Sequence, residues 1–247
     1  MPGPRRKREP FRFRGAPSGV EALVPLQLEG TATTTLALDL KEAADVRITP
    51  LALQAEPFGV DSTKLSFALP ETTPPGTYEG AVQVGDERFP VTVEVAPQPD
   101  LDASPSAFTL SVAPGADAQI GLTLVNAGNV PVEIQRAYAF NLLERGGIEE
   151  AVHAALREPV QSGEERLARL MDFLSERHGG LVRVAVERGA GTLVPGESRE
   201  LQAALRFGSE LRPGAVYSST WEIANLNLYV EVHAEQKAPR RRRKEAA

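Results

Sequence analysis

Apolar and polar residues alternate with a period of two along most of this chain, which is the pattern of strands with one buried and one wet face. Residues 22–28 (ALVPLQL), 33–40 (TTTLALDL), 45–55 (DVRITPLALQA), 63–69 (TKLSFAL), 77–84 (TYEGAVQV) and 87–95 (ERFPVTVEV) follow one another at short intervals, separated by turn formers. Leu36, Leu38 and Leu40 fall on one strand face, as do Val91, Val93 and Val95. The rhythm restarts at 108–135 (FTLSVAPGADAQIGLTLVNAGNVPVEIQ), where Pro114-Gly115 and Asn126-Ala-Gly-Asn129 supply the residues that tight turns require. It resumes again at 181–188, 198–207, 215–223 and 227–234.

Between about 140 and 180 the apolar period changes to about 3.6 residues, and two helices are predicted. Ile148, Val152, Ala155 and Leu156 form the stripe of the first, which Pro159 stops. Leu167, Leu170, Met171 and Leu174 form the stripe of the second. Ser162 or Gly163 caps its start and Gly179-Gly180 its end. The pairs Glu149-Glu150 and Glu164-Glu165 then lie in first turns, where carboxylates complement the helix dipole, so acid–base or calcium chemistry is not needed to explain them.

One phrase occurs twice. Pro75-Gly76 precedes Tyr78, and Pro213-Gly214 precedes Tyr217; each leads into the last pair of strands of its half. Tyr78 to Val95 spans 17 residues and Tyr217 to Val232 spans 15, a divergent internal repeat of about one sandwich domain. In each copy the Tyr ring is expected inside, with its hydroxyl reaching backbone at the corner. The fold class is therefore all-β: two tandem immunoglobulin-like β-sandwiches, the second with an α-helical insertion. The expected layout is a disordered basic arm (1–14), a first sandwich (15–97), a linker (98–103) within the Pro-rich stretch 96–107, a second sandwich (104–236) with its insertion at about 141–179, and a disordered basic tail (237–247).

The residues Phe108-x-Leu110-x-Val112-x-Pro114-Gly115, Leu122-x-Leu124-x-Asn126-x-Gly128-Asn129-x-Pro131-Val132, Pro195-Gly196 and Pro213-Gly214 with Tyr217 carry a resemblance. In them the chain resembles bacterial immunoglobulin-like sandwich modules, Hydin-type relatives of the major sperm protein fold and modules associated with NPCBM domains. The resemblance covers about 108–232 apart from the helices and, more weakly, 22–95. It implies the sandwich fold and a bacterial source; such modules serve adhesion, sugar-associated, scaffolding and chaperone roles alike. The helical segment is a departure from the plain module.

Composition adds a charge pattern and removes chemistries. The 247 residues contain no cysteine, which excludes disulfides, thiolate metal sites and a cysteine nucleophile. His153, His178 and His233 have no metal-ligand spacing and read as surface or helix-end residues, His178 at a helix C-terminus. Asp100 and Asp102 read as solvated linker acids. No P-loop, nucleophile elbow or dinucleotide fingerprint occurs, and no enzyme activity, cofactor or metal is expected. Residues 1–14 and 237–247 each carry six basic residues against one glutamate, net +5 apiece. The remainder holds 15 basic and 31 acidic residues, net −16. Such a body repels phosphate, so contact with an anionic surface, nucleic acid or membrane, falls to the tails: Arg5, Arg6, Lys7 and Arg8 at one end, Arg240, Arg241, Arg242, Arg243 and Lys244 at the other. A merely solubilising tail is the plain alternative. Phe11 and Phe13 fit the first edge strand better than an anchor on a partner's groove.

The expected function is a non-enzymatic structural and interaction module. It assembles with a protein partner, or with itself, through Leu167, Leu170, Met171 and Leu174; the alternative fate of this stripe is to cap the sandwich. An extracellular or periplasmic ligand-binding or adhesion module is the rival reading. The single Trp221, in a predicted core strand, weakens a sugar platform. Without an apolar leader or a span of about 18 apolar residues, a cytoplasmic chain without a transmembrane segment is expected, with a secreted chain that has lost its signal as the alternative.

Overall fold

The computed structural model describes residues 10–25, 34–40, 51–58, 62–84, 87–157, 159 and 162–236. Two compact units emerge: Met1–Asp100 with Asn126–Val132 and Val194–Glu197, and Leu101–Val125 with Glu133–Leu193 and Ser198–Ala247. Both are β-rich, as the period of two requires.

The first unit consists of β1 (Phe11–Ala16), β2 (Gly19–Val24), β3 (Thr34–Leu40), β4 (Leu51–Pro57), β5 (Thr63–Phe67), β6 (Gly76–Val84) and β7 (Glu87–Val95). Its sandwich closes on itself in the order β1-β2-β5-β4-β3-β6-β7, with β1 antiparallel to β2 and parallel to β7. Among the described strands, closure leaves no open edge for another chain to pair with. Inward positions alternate as the sequence pattern demands: Val20, Ala22 and Val24 on β2, Leu65 and Phe67 on β5, and Val91, Val93 and Val95 on β7 are buried. The shared face expected of Leu36, Leu38 and Leu40 lies outside the described side chains. Phe13 is fully buried and meets Phe67 edge-on at 5.2 Å, while Phe11 stacks on Phe89 at 5.0 Å. These two phenylalanines, with Arg12 and Arg14, thus belong to a strand, where a disordered arm to residue 14 was expected.

The second unit forms an eight-stranded sheet from β8 (Leu101–Ser104), β9 (Ala107–Val112), β10 (Asp117–Asn126), β12 (Ala137–Glu144), β13 (His178–Arg188), β15 (Ser198–Arg206), β16 (Val216–Ile223) and β17 (Leu226–Ala234). A small pair, β11 (Val132–Ile134) with β14 (Gly191–Leu193), stands apart from it. The order is β8-β10-β15-β13-β12-β16-β17-β9. The two edge strands are joined by only Pro105 and Ser106, which can span no more than about 11 Å from Ser104 to Ala107. The sheet must therefore fold over until its edges nearly meet, giving the two layers of an immunoglobulin-like sandwich. Part of the Pro-rich stretch read as linker is thus strand: Leu101 is buried and begins β8, because an alternating register survives between the prolines.

Registers show the internal repeat directly. Tyr78 stands opposite Val93, which stands opposite Phe13; Tyr217 stands opposite Val232, which stands opposite Leu110. Each Tyr is 15 positions from its partner, so the two copies agree once pairing replaces the last apolar residue as the landmark. Both rings are buried. The Tyr78 hydroxyl donates to the Pro74 carbonyl at 2.7 Å, and the Tyr217 hydroxyl accepts from the Arg212 N–H at 2.9 Å.

The Asn126–Asn129 turn, which carried the family resemblance, acts as a clamp within the first unit. Asn129 Oδ1 accepts from the Gln98 N–H at 2.6 Å and its Nδ2 donates to the Ala96 carbonyl at 2.9 Å. Asn126 holds the turn from inside, accepting from the Gly128 N–H and donating to the Val130 carbonyl. A Cβ at Gly128 would lie 2.3 Å from the Gln98 carbonyl oxygen, so the close approach admits only glycine.

Candidate functional site

The helical segment is the tip of a β-hairpin. β12 and β13 pair antiparallel, with Leu143 opposite His178, and the Glu144 N–H donates to the Arg177 carbonyl at 3.1 Å. Between these neighbours the chain leaves the sheet, builds α1 (Gly147–Arg157) and α2 (Gly163–Glu176), and returns. The Ser162 Oγ caps α2 by accepting from the Glu165 N–H at 3.1 Å, and both acidic pairs lie in first turns.

The insertion is shorter at both ends than the period of 3.6 suggested. Phe140 and Leu142 are inward-facing strand residues, because neighbouring apolar residues can read equally as a helix stripe or as a strand running into a turn. Gly179 and Gly180 do not end α2, whose C-cap is Arg177. Gly179 lies in β13, where a Cβ would stand 2.6 Å from the Tyr217 ring and 2.9 Å from Leu142 Cβ. It is glycine because the buried tyrosine passes directly beneath the root of the insertion. His178, accordingly, is the first residue of β13 and not a helix end; its Nδ1 accepts from the Gly180 N–H.

Arginine side chains brace this root. Arg177 lies 2.5 Å from Glu150 of α1 and 4.0 Å from Glu144 of β12, and Arg212 pairs with the same Glu144. Nearby, Arg145 reaches Glu231 at 3.4 Å, and His233 meets Glu231 at 2.8 Å. The hydrogen bond from His233 is the main reason the Glu231 carboxyl lies below the usual glutamate range, with the Arg145 charge adding to it. Solvent screens these pairs, so together they orient the hairpin more than they stabilise the fold.

The two helices turn different sides to the protein than their sequence stripes imply. On α1 the buried residues are the small Gly147, Ala151 and Ala155, which allow close packing. The larger members of the stripe face outward: Ile148, Val152 and Leu156 are 54%, 38% and 60% exposed. On α2 the four predicted contact residues divide. Leu170 and Leu174 are half-buried, whereas Leu167 and Met171 are 59% and 55% exposed. Ile148, Met171 and Leu174 meet Leu143, Ser175 and His178 around an apolar groove of about 460 Å³ at the root end of the hairpin. Leu143 and His178 come from strands and had no signal in the helical pattern; Ile148 had one.

His153 is exposed on α1, and Trp221 is buried against Tyr138, so neither serves as a platform. Among the described residues no three His, Asp or Glu side chains converge as a metal centre would need. No described helix is long and apolar enough to cross a membrane. Arg5, Arg6, Lys7, Arg8, Arg240, Arg241, Arg242, Arg243 and Lys244 lie outside the described residues.

No family model matches the chain, and no curated protein matches it. Solved structures give faint similarities. The chain is 11% identical to the ASH/PapD-like domain 7 of human CEP192, over 56% of this chain and 87% of that one, with a TM-score of 0.29. It is 11% identical to the structure of Dpr11 IG1 bound to DIP-gamma IG+IG2 (93% and 98% covered, TM-score 0.30). It is 7% identical to titin A168–A169 (92% and 97% covered, TM-score 0.30). The immunoglobulin-like fold rests on the strand order and registers of the chain itself.

Proposed function

We propose that this chain is a non-enzymatic interaction module in which the immunoglobulin-like units carry a helical hairpin that docks a protein partner, while the basic tails attract anionic surfaces. The observation that carries this reading is the outward apolar strip of Ile148, Val152, Leu156, Leu167 and Met171. A hairpin that served only to cap the sandwich would turn these residues inward. Here the inward side of α1 is made of glycine and alanine instead. Leaving several large apolar side chains in water forgoes about 1 kcal/mol or more apiece, a cost that a partner's surface removes.

The test uses Leu167→Asp with Met171→Asp, both at exposed positions where the change in stability should stay within about 0.5 kcal/mol. Tagged wild-type and variant chains are purified side by side from the native cells. The variant is expected to fold normally and lose its co-purifying protein. Recovery of the same proteins in the same yield overturns the reading.

A further inference from the structure

We infer that the groove at the root of the hairpin takes an amphipathic helix of a partner protein whose apolar stripe is bordered by lysine or arginine. This rests on the hairpin being the contact surface and goes further by assigning the chemistry of what it contacts. Ile148 and Met171 stand on neighbouring helices at the mouth of the groove, with Leu143 and Leu174 among its apolar walls. A trough between two helical ridges fits the apolar face of a third helix, as in helix-in-groove recognition, and offers no strand edge for sheet addition.

Charge selects among such helices. Glu149 follows Ile148, Asp172 follows Met171 and Glu176 follows Ser175, so three groove-lining residues each have an exposed carboxylate as their next neighbour. None of the three has an ion-pair partner among the described residues. Arg177, next to Glu176 in the chain, is committed to Glu150 and Glu144, and Arg169 of α2 pairs with Glu165. Arg157 and Arg166, which have no ion-pair partner among the described residues, lie toward the opposite end of the hairpin, beside the connection between the helices. An apolar groove whose lining residues have unpaired anions on the adjoining helix surface is complementary to an apolar stripe flanked by cations.

The same pattern disfavours other occupants. A second copy would set these carboxylates against their own equivalents, on bodies that each carry net −16. The chain's basic tails have the right charge, but apart from Met1 neither 1–9 nor 237–247 holds a large apolar residue to enter the groove.

Three synthetic helical peptides of equal length test this against the full chain by fluorescence anisotropy. One has a leucine stripe flanked by lysines, the second has the same stripe flanked by glutamates, and the third is a scramble of the first. The lysine-flanked peptide is expected to bind about tenfold tighter than either other peptide at low salt, with the advantage shrinking as salt rises. In the triple variant Glu149→Gln, Asp172→Asn, Glu176→Gln the two striped peptides should bind alike. In Met171→Asp both should be lost. Equal binding of lysine and glutamate peptides to the wild type, equal binding of the scramble, or a preference that survives in the triple variant overturns the inference. So does a wild-type dimer in sedimentation that Met171→Asp dissociates, because a second copy then fills the groove. If no peptide binds while the Asp double variant still loses its co-purifying protein, this inference falls and the interaction reading stands.

Discussion

Tyr78 and Tyr217 occupy equivalent corners, yet their hydroxyls play opposite parts, one donating to a carbonyl and the other accepting from an N–H. Removing the Tyr78 hydroxyl strips Pro74 of one donor, and a carbonyl tolerates this well. Removing the Tyr217 hydroxyl orphans the Arg212 N–H, which tolerates it poorly. Tyr217→Phe is therefore expected to cost about 1–2 kcal/mol and Tyr78→Phe about 1 kcal/mol or less, read from urea midpoints. Gly128→Ala drives a methyl into backbone on two sides and should cost about 1–3 kcal/mol by the same measurement. At Glu231 the sign follows from the lowered carboxyl. The contribution of its bonds to stability is complete above the ordinary glutamate value of 4.5 and is lost as pH falls through the lowered one. In His233→Asn the Glu231 titration, followed by NMR, should move up toward the ordinary value. The tyrosines were legible in the sequence because a repeated Pro-Gly announced them. Glu231 and His233 were not, since alternate residues on a strand acquire meaning only when their shared face is known.

At the scale of elements, the change of period from two to 3.6 located the insertion, and Ser162 marked the start of its second helix correctly. Ser162→Ala should cost about 1 kcal/mol locally, seen as faster hydrogen exchange in α2 with the strands unchanged. The hairpin should also be removable. Glu144 and Arg177 already sit across from one another, so replacing 145–176 with a two-residue Asn-Gly turn joins β12 to β13 without moving either strand. Circular dichroism is expected to lose its helical part and keep its strand part; loss of cooperative unfolding would show instead that the helices support the sandwich. The direction of each helical stripe could not be read in advance. An amphipathic pattern shows that a helix has two sides, and which side faces inward depends on whether the opposing surface accepts leucine or only alanine and glycine.

For the whole molecule, composition separated a −16 body from two +5 ends. Binding to anionic vesicles at low salt is the expected property of those ends. It should fade as salt rises and drop when 237–247 is deleted. Unaltered binding after that deletion, or none at low salt, would assign the tails a solubilising role only. The repeat of two sandwiches was also visible at this scale, because strand period, turn residues and the corner tyrosine recur in order along the chain.

What the sequence determined by itself is therefore whatever depends on neighbours along the chain: strand period, helix period, turn and cap residues, the paired corners and the charge of the ends. The tertiary structure alone decided what depends on residues distant in sequence. It closed the first sandwich through Phe13 against Val93, set Gly179 under Tyr217, bound Asn129 to Ala96 and Gln98, and brought Leu143 and His178 beside Ile148 and Met171. The physical reason is the same in each case. Local patterns specify which backbone form a segment takes, but packing selects the face it buries, and the exposed face left over is where a partner can bind.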